Sequence, residues 1–97
     1  MSKIVVVAKV VAKKEFLSSV KNSLLNLIAP TREETGCIDY TLHQDIDDPS
    51  VFVFYETWEN LSSLENHLES DHYQAHARNV KGMIDDKEVF RMMRIEG

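Results

Sequence analysis

Two segments of this chain are apolar at almost every position, and therefore on both faces of any strand they form. Residues 4–11 read IVVVAKVV, and residues 51–58 read VFVFYETW. β-branched and aromatic residues favour strands, and successive side chains of a strand point to opposite faces of its sheet. Each segment therefore predicts a strand that needs an apolar partner on both faces, which a single layer of helices does not supply.

A helical segment follows the first strand. Apolar residues recur at three- and four-residue spacing from Phe16 to Ile28, which is the apolar stripe of an amphipathic helix. Pro30 is expected to bend or restart this helix, because proline lacks the backbone N–H that a helix uses. Gly36 is expected to end the helix as a C-terminal cap residue.

A second helical segment follows the other apolar strand. Asn60 is a favourable N-cap residue for a helix that begins directly after it. Asp71 and Gln74 stand at the spacing of a capping box, so a new helical segment is predicted to begin at His72. The apolar face of that segment is expected to continue to Ile84.

Two more strands are predicted at residues 37–45 and 87–95, so the element order is β-α-β-β-α-β. With right-handed crossovers this order gives a four-stranded antiparallel sheet in spatial order 4-1-3-2, with the helices on one face. We therefore predict an α+β fold of ferredoxin-like βαββαβ topology. Because the second sheet face is also apolar, we predict a homodimer in which two sheets pack together as a dimeric α+β barrel.

Two charged residues interrupt the apolar strands. Lys9 lies in the middle of the first strand, and Glu56 lies near the end of the third. A buried charge without a partner costs free energy, and the predicted strand order makes these two strands neighbours. We expect Lys9 and Glu56 to point to the same sheet face and to pair. The alternative is that each lies near an edge and is solvated.

Length and charge limit the classes of function. With 97 residues we expect one domain, over residues 1–97, with a small core. The net charge of −5 argues against nucleic acid and anionic membranes as partners, since both bind clustered lysine and arginine. No apolar segment approaches the length of a membrane span. Cys37 is the only cysteine, which excludes an internal disulfide and favours a cytoplasmic protein.

Three of the four histidines lie in one ten-residue window, from His67 to His76. Both protonation states of histidine are accessible near neutral pH, so this cluster is the first candidate for acid–base chemistry. His72 is the preferred base, because a helix N-terminus disfavours the imidazolium and keeps the ring ready to accept a proton. A solvent-exposed His72, and structural roles for His67 and His76, are the alternatives.

Aromatic residues and histidines around this cluster are candidates for a substrate pocket. Tyr73 joins His72 and His67 as a candidate catalytic residue, and the candidate pocket residues are Trp58, His76, His43 and Tyr40. The register of the second strand leaves open whether His43 faces the pocket or solvent. His72 and His76 have a spacing compatible with a metal ion, but no cysteine or carboxylate motif completes such a site. We therefore predict no metal.

Four short motifs give the chain a family resemblance. They are Arg32-Glu-Glu-Thr-Gly-Cys37 before the second strand, Tyr40 within it, Tyr55-Glu-Thr-Trp58 at the end of the third strand, and His67-Leu-Glu-Ser-Asp-His-Tyr73 across the second helix. In these motifs the chain resembles the antibiotic biosynthesis monooxygenase superfamily, a group of small dimeric α+β barrel proteins. The motifs are more specific for the fold than for the chemistry.

The resemblance implies oxidation of a small electron-rich aromatic, such as a quinol, a phenol or an anthrone, by O2 without a cofactor. The deprotonated substrate passes an electron to O2 itself, so the protein supplies an apolar pocket, a base and donors for the phenolate. Two alternatives are isomerase-type processing of a small phosphorylated sugar and a non-catalytic small-ligand-binding dimer. The first needs a cationic phosphate site, and Arg32 and Arg78 do not visibly converge on one.

The haem-degrading branch of the superfamily is a poorer match. Its members resemble one another in a strand-1 asparagine, a tryptophan in the second helix and a histidine ten residues later. In this chain those positions align with Ala8, His67 and Ala77, so none of the three residues is present. We do not expect haem degradation.

Overall fold

The computed structural model describes residues 3–97, so the first two residues of the predicted 1–97 domain lie outside the described residues. Its elements in chain order are β1 (Ile4–Ala12), a 3-10 turn (Lys14–Phe16), α1 (Leu17–Arg32), β2 (Cys37–Gln44), β3 (Val51–Trp58), α2 (Leu61–Leu68), α3 (Asp71–Asn79) and β4 (Ile84–Met92). Among residues 3–97, the helices are all too short or too polar to cross a membrane.

The four strands form one antiparallel sheet in the order β2-β3-β1-β4. This is the predicted order 4-1-3-2, so the ferredoxin-like α+β topology is confirmed. The two strands that are apolar throughout, β1 and β3, lie in the centre of the sheet. The two more polar strands, β2 and β4, lie at its edges, where strands meet more water.

Two helix boundaries differ from the prediction. The helix α1 continues through Pro30, in its last turn, and ends two residues later at Arg32. Gly36 stands beyond that end, with a positive φ of 88°, in the turn that leads into β2. The helix α3 ends at Asn79, and Gly82 at φ 81° turns the chain so that Ile84 begins β4 instead of continuing the helix.

One face of the sheet carries the core beneath the helices. The fully buried side chains on this face include Val6 and Val10 of β1 and Phe52, Phe54 and Trp58 of β3. They pack against buried residues of the helices and of the turn before β4, which are Val20, Leu24, Leu27, Leu64 and Val80. The two-residue alternation in the strands meets the three- and four-residue spacing of the helices, as the apolar pattern requires.

The predicted pairing of Lys9 with Glu56 is wrong. In the antiparallel register, Glu56 lies opposite Val6 and Lys9 lies opposite Val53. Residues that lie opposite each other point to the same face, so Glu56 shares a face with Val6. Lys9 is three residues after Val6, an odd number, and therefore points to the other face. Glu56 faces the helices and is buried, whereas Lys9 lies on the other face, opposite Glu88 of β4.

The second face of the sheet is apolar in its central row and is not covered by any helix of the chain. Val7 of β1 stands between Tyr55 of β3 and Phe90 of β4, whose exposed fractions are 42% and 51%. Exposed aromatic groups that lie side by side are typical of a surface that another protein chain covers. The homodimer therefore stays a prediction, and this row of side chains is its expected interface.

Substitution of Gly36 tests the close contact between the turn before β2 and Ser63 of α2. A Cβ at Gly36 would overlap the Oγ and Cβ atoms of Ser63, and the residue has a left-handed φ. We expect Gly36→Ala to lower the free energy of unfolding by about 2–5 kcal/mol, combining backbone strain with overpacking. Urea denaturation monitored by circular dichroism measures the loss.

Gly82→Ala is the matched control. Gly82 also has a left-handed φ, of 81°, but a Cβ there would meet nothing within 4 Å. Its substitution should therefore cost only the backbone term, about 1–2 kcal/mol. Equal losses in the two variants would contradict the contact with Ser63.

Candidate active site

A cavity of about 290 Å³ lies between the helix-facing side of the sheet and the three helices. Its floor includes Tyr40, Phe54 and Glu56 from the sheet. Its apolar walls come mainly from the helices and the turn before β4, through Leu24, Leu27, Leu64, Leu68, Ala77 and Val80. A concave, mostly apolar space with a few polar groups is the usual form of a small-molecule site.

His67 is the most buried histidine facing this cavity. It lies on α2 with an exposed fraction of 2%, and its ring packs 4.8 Å from Trp58 and 5.1 Å from Tyr73, measured between ring centroids. Its Nδ1 atom lies 2.7 Å from Oε2 of Glu34. Burial lowers the pKa of His67, although the hydrogen bond to Glu34 opposes the shift. The ring is therefore neutral at pH 7, and the carboxylate holds its proton on Nδ1.

Glu34 joins two histidines through a single oxygen atom. The Oε2 atom that contacts His67 also lies 2.7 Å from Nε2 of His72, which stands in the first turn of α3. Glu34 itself belongs to the turn after α1, and Arg32 fixes that turn by donating two hydrogen bonds, of 3.1 and 3.0 Å, to the carbonyl of Tyr40. The carboxylate thus connects the end of α1 with α2 and α3. No spacing rule in the sequence predicts this contact.

Among residues 3–97, the same three residues form the group that could hold a metal ion. One ligand atom from each of Glu34, His67 and His72 lies within 4.8 Å of the others. A carboxylate and two imidazoles suit a divalent transition metal. His76, which the spacing had paired with His72, is not in this group. An ion bound by Nδ1 of His67 and Nε2 of His72 would have to replace the hydrogen bonds that these two atoms make with Glu34.

Glu56 is a buried acid on the floor of the cavity. Its Oε1 atom accepts a hydrogen bond of 2.9 Å from the indole Nε1 of Trp58. Burial raises the pKa of Glu56 to about 7, an effect that outweighs the hydrogen bond from Trp58. The carboxyl therefore titrates near neutral pH, which is the range useful for proton transfer. From the sequence, Glu56 is predicted only to pair with Lys9, and its place on the cavity floor is not predicted.

Tyr73 and His76 form the side of the cavity nearest β4. The hydroxyl of Tyr73 accepts a hydrogen bond of 3.1 Å from Nζ of Lys87. The Nδ1 atom of His76 lies 2.7 Å from Oγ of Ser23 on α1, and burial lowers the pKa of His76 to about 4. His76 is therefore also neutral at pH 7 and serves as a polar but uncharged part of the wall.

Comparison with known proteins gives the family. A family model described as antibiotic biosynthesis monooxygenase matches residues 3–79 of the chain. The chain belongs to the antibiotic biosynthesis monooxygenase family. The resemblance in the four sequence motifs is thereby confirmed.

The similar solved structures cover the chain almost completely, whereas the match to one curated relative is shorter. The structure of PA3566 from Pseudomonas aeruginosa is 26% identical, covers 99% of this chain and 97% of its own, and has a TM-score of 0.95. A conserved protein from Methanosarcina mazei Go1 is 32% identical, covers 95% of this chain and 92% of its own, and has a TM-score of 0.86. The protein sll1783 of Synechocystis is 31% identical over 61 residues, which are 63% of this chain and only 39% of that protein.

The structure brings together only part of the residue set proposed from the sequence of this family member. Tyr40, His67, Tyr73 and His76 line the cavity, whereas Trp58 and His72 do not. Trp58 is fully buried behind His67, and His72 is partly exposed on the far side of Glu34. Two of the three clustered histidines, His67 and His76, therefore face the cavity, whereas His72 does not.

The assignment of His43 to the pocket is corrected. His43 lies opposite Val53 in the β2–β3 register, on the sheet face that points away from the helices. It is exposed, and its Nδ1 atom lies 3.2 Å from the carbonyl of Val53. A shift of one residue moves a side chain to the other face, so the uncertain register of β2 accounts for this error.

The raised pKa of Glu56 predicts how the stability of the fold depends on pH. Its pKa rises from 4.5 to about 7 on folding, so stability is greatest below 4.5 and falls as the pH rises through about 7. We expect Glu56→Gln, which can still accept from Trp58, to raise the free energy of unfolding at pH 8 by about 1–3 kcal/mol. At pH 4 the gain should nearly vanish. Urea denaturation at both pH values measures it.

The exposed Glu65 of α2 provides the control for this experiment, because Glu65→Gln removes the same charge without removing a buried one. Its effect should be small and similar at the two pH values. A Glu56→Gln variant that is less stable than the wild type at pH 8 would show that the buried carboxylate is stabilised by its surroundings.

Proposed function

We propose that this protein is a cofactor-independent monooxygenase that oxidises a small electron-rich aromatic, of the quinol, phenol or anthrone type, with O2. The observation that supports this most directly is His67, a buried and neutral imidazole held by Glu34 at the wall of an apolar cavity. The description of the matching family points to the same class of reaction. The cavity suits a flat aromatic ring, because apolar and aromatic side chains form most of its surface.

His67 is the proposed base. With its proton held on Nδ1 by Glu34, its Nε2 atom is free to take the proton of a substrate hydroxyl. The imidazolium that forms is then stabilised by the adjacent carboxylate, as in other histidine–carboxylate pairs. Glu34 is therefore a positioning residue. His72 is the base predicted from the sequence. In this proposal it instead donates a second hydrogen bond to Glu34 and helps to hold the carboxylate in place.

The phenolate then reduces O2, and the two radicals recombine to a peroxide that loses water. For hydroquinone the balance is one hydroquinone and one O2 giving one hydroxyquinone and one water. The substrate supplies the electrons, so the protein needs to supply only deprotonation and stabilisation of negative charge. Tyr73, whose hydroxyl is polarised by Lys87, is the proposed donor to the phenolate. Tyr40, with a raised pKa caused by burial, stays protonated.

A second function has one observation in its favour. Lys81, Lys87 and Arg91 line the cavity, and cations are what a phosphorylated sugar would need. The rest of the lining is mostly apolar and aromatic, with few hydrogen-bond partners for a sugar's hydroxyl groups. Isomerase-type processing of a phosphorylated sugar therefore ranks below aromatic oxidation. The third alternative is a non-catalytic dimer of this fold that binds a small ligand. It would show binding without turnover, unlike either enzyme.

The same proposal includes a homodimer. The row of Phe90, Val7 and Tyr55 on the uncovered sheet face would be buried by a second copy, with the two sheets packed together as a dimeric α+β barrel. Such burial would stabilise a domain whose own core is small. It leaves the cavity, which lies on the opposite side of the sheet, bounded by one subunit's helices.

A reducing compartment such as the cytoplasm is the proposed location. Cys37 is a free and partly buried thiol at the start of β2. Burial raises the pKa of Cys37 to about 11, so the thiol stays protonated and unreactive. It has a packing role in this proposal and no catalytic one.

Oxygen uptake with a panel of hydroquinones and anthrones, using metal-free protein, tests the function. His67→Gln should lower kcat by about 10²- to 10⁴-fold, the usual contribution of a general base. Glu34→Gln should cause a smaller loss, because the base remains but its orientation is no longer fixed. His43→Gln, on the opposite sheet face, is the matched control and should have wild-type activity. Uptake at the uncatalysed rate with every substrate would refute the proposal.

The pH profile separates the two candidate acid–base groups. Because burial lowers the pKa of His67 below 6.5, kcat/KM should fall only in acid and should already be level at neutral pH. Glu56→Gln should retain this acid limb, whereas residual activity in His67→Gln should lose it. An acid limb that disappears with Glu56 would move the role of base to that residue.

Sedimentation tests the dimer. The wild type should sediment as a species of twice 11.2 kDa at micromolar concentration. Tyr55→Glu and Phe90→Glu should shift it toward the monomer, since each would place a charge in the proposed interface. Ile46→Glu is the control, because Ile46 is 95% exposed in the β2–β3 turn. A stable monomer in the wild type would exclude this interface.

A further inference from the structure

We infer that the aromatic substrate carries an ionised acidic group in addition to its oxidisable hydroxyl, and that Lys81, Lys87 and Arg91 bind this group at the edge of the cavity. The inference rests on the proposed function and names the chemical class of its substrate. Three cations line one side of the cavity, in a chain whose net charge is −5.

Charges on β4 are separated by face. The side chains that point to the helices and the cavity are Lys87, Val89 and Arg91. The side chains that point to the other face are Asp86, Glu88, Phe90 and Met92. From Asp86 to Arg91, every charged residue on the cavity side is therefore a cation, and every charged residue on the far side is an anion. Asp85 lies at the bulge near the start of β4 and is outside this alternation. Random placement of charges on an edge strand would mix the two signs on each face.

The three cations have no acidic partner among the described residues. The ion pairs found within residues 3–97 are His67–Glu34, His72–Glu34 and Arg94–Glu96. Lys87 instead donates to the hydroxyl of Tyr73 and lies 5.7 Å from the centre of its ring. Lys87 is therefore the cation that directly contacts a proposed catalytic residue, Tyr73.

One acidic side chain of the cavity lining, Glu56, interacts with these cations, since Lys87 favours its ionised form, but a single carboxyl cannot neutralise all three. Glu56 shares a row of the sheet with Arg91, since both residues lie opposite Val6. The indole of Trp58 already binds one of its oxygens, and its raised pKa of about 7 leaves it partly protonated at neutral pH. The positive charge along β4 is therefore largely left for a bound molecule.

Protection of the sheet edge does not explain the pattern. Lysine and arginine on an edge strand discourage unwanted strand pairing, but they do so on either face of the sheet. That role would not require the acids to be confined to the opposite face. Lys87 and Arg91 are also four residues apart, about 13 Å along a strand, so they border a length comparable with a substituted aromatic ring.

The ionised group can be a carboxylate or a phosphate, since lysine and arginine bind both. In either case the aromatic ring would lie against Tyr73 and His67, with its acidic group directed toward β4. The substrate then binds in a fixed orientation, because one end is held by charge and the other by the apolar wall. This orientation brings the hydroxyl, and not the acidic group, to His67.

Equilibrium binding of simple aromatic probes, measured without O2 so that none of them is oxidised, provides the test. Calorimetry with wild-type protein should give a dissociation constant for 4-hydroxybenzoate about tenfold lower than that for phenol, and raising the salt should reduce this ratio. The double variant Lys81→Met/Arg91→Met should bind the two probes equally, with the affinity for phenol unchanged. Arg94→Met, which removes one cation near the C-terminus outside the cavity lining, is the control and should keep the preference.

Each other outcome has a meaning. Equal binding of the two probes by the wild type, no binding of either, or a preference that survives the double variant would overturn the inference. Tighter binding of phenyl phosphate than of 4-hydroxybenzoate would support it and assign the cations to a phosphate. Binding of fructose 6-phosphate with no binding of the aromatic probes would overturn it in favour of a sugar phosphate. Because no probe needs to be oxidised, a preference for anions without oxygen uptake would sustain the anion site while refuting the monooxygenase.

Discussion

One carboxylate oxygen of Glu34 links the three parts of the chain on which the site depends. It is 2.7 Å from a ring nitrogen of His67 on α2 and 2.7 Å from one of His72 on α3, while Glu34 itself follows α1. Charge-assisted hydrogen bonds of this kind are stronger than neutral ones, and they offset the cost of burying the carboxylate. The contact also fixes which nitrogen of His67 holds the proton. The packing of the helices and the protonation of the His67 ring therefore depend on the same side chain.

Much of the fold is predictable because it follows from local pattern. The change from two-residue alternation to three- and four-residue spacing locates β1, α1, β3 and α2, and the handedness of crossovers then leaves one sheet order. The errors lie at boundaries that local pattern does not determine. Val80 and Ile84 continue the apolar spacing of α3, but Gly82 turns the chain between them, and Ile84 begins a strand instead. A glycine in a left-handed conformation outweighs two apolar residues at helical spacing.

The remaining errors concern contacts between residues distant in sequence. The face on which Lys9 lies relative to Glu56 depends on the register of β1 against β3, and these strands are joined by no hairpin whose turn would fix it. Glu34 reaches His67 and His72 across 33 and 38 residues, so no spacing rule could pair them. Glu34 did lie within a motif that supported the family resemblance. The motif marked the segment, and only the fold gave the carboxylate its partners.

The chemistry of the cavity follows from how burial acts on its acid and its base. Burial lowers the pKa of His67 and raises that of Glu56 to about 7, and in both cases the uncharged form is favoured. The interior of the site is therefore close to neutral before a molecule binds, and the fixed charges lie at its edges, with Glu34 behind the base and the cations on β4. In the proposed reaction a substrate loses its proton to His67, so that the new imidazolium would lie next to Glu34 and the new phenolate between Tyr73 and the cations. Both charges created by the proton transfer thus form where an opposite charge is already in place, which lowers the cost of separating them in an apolar cavity.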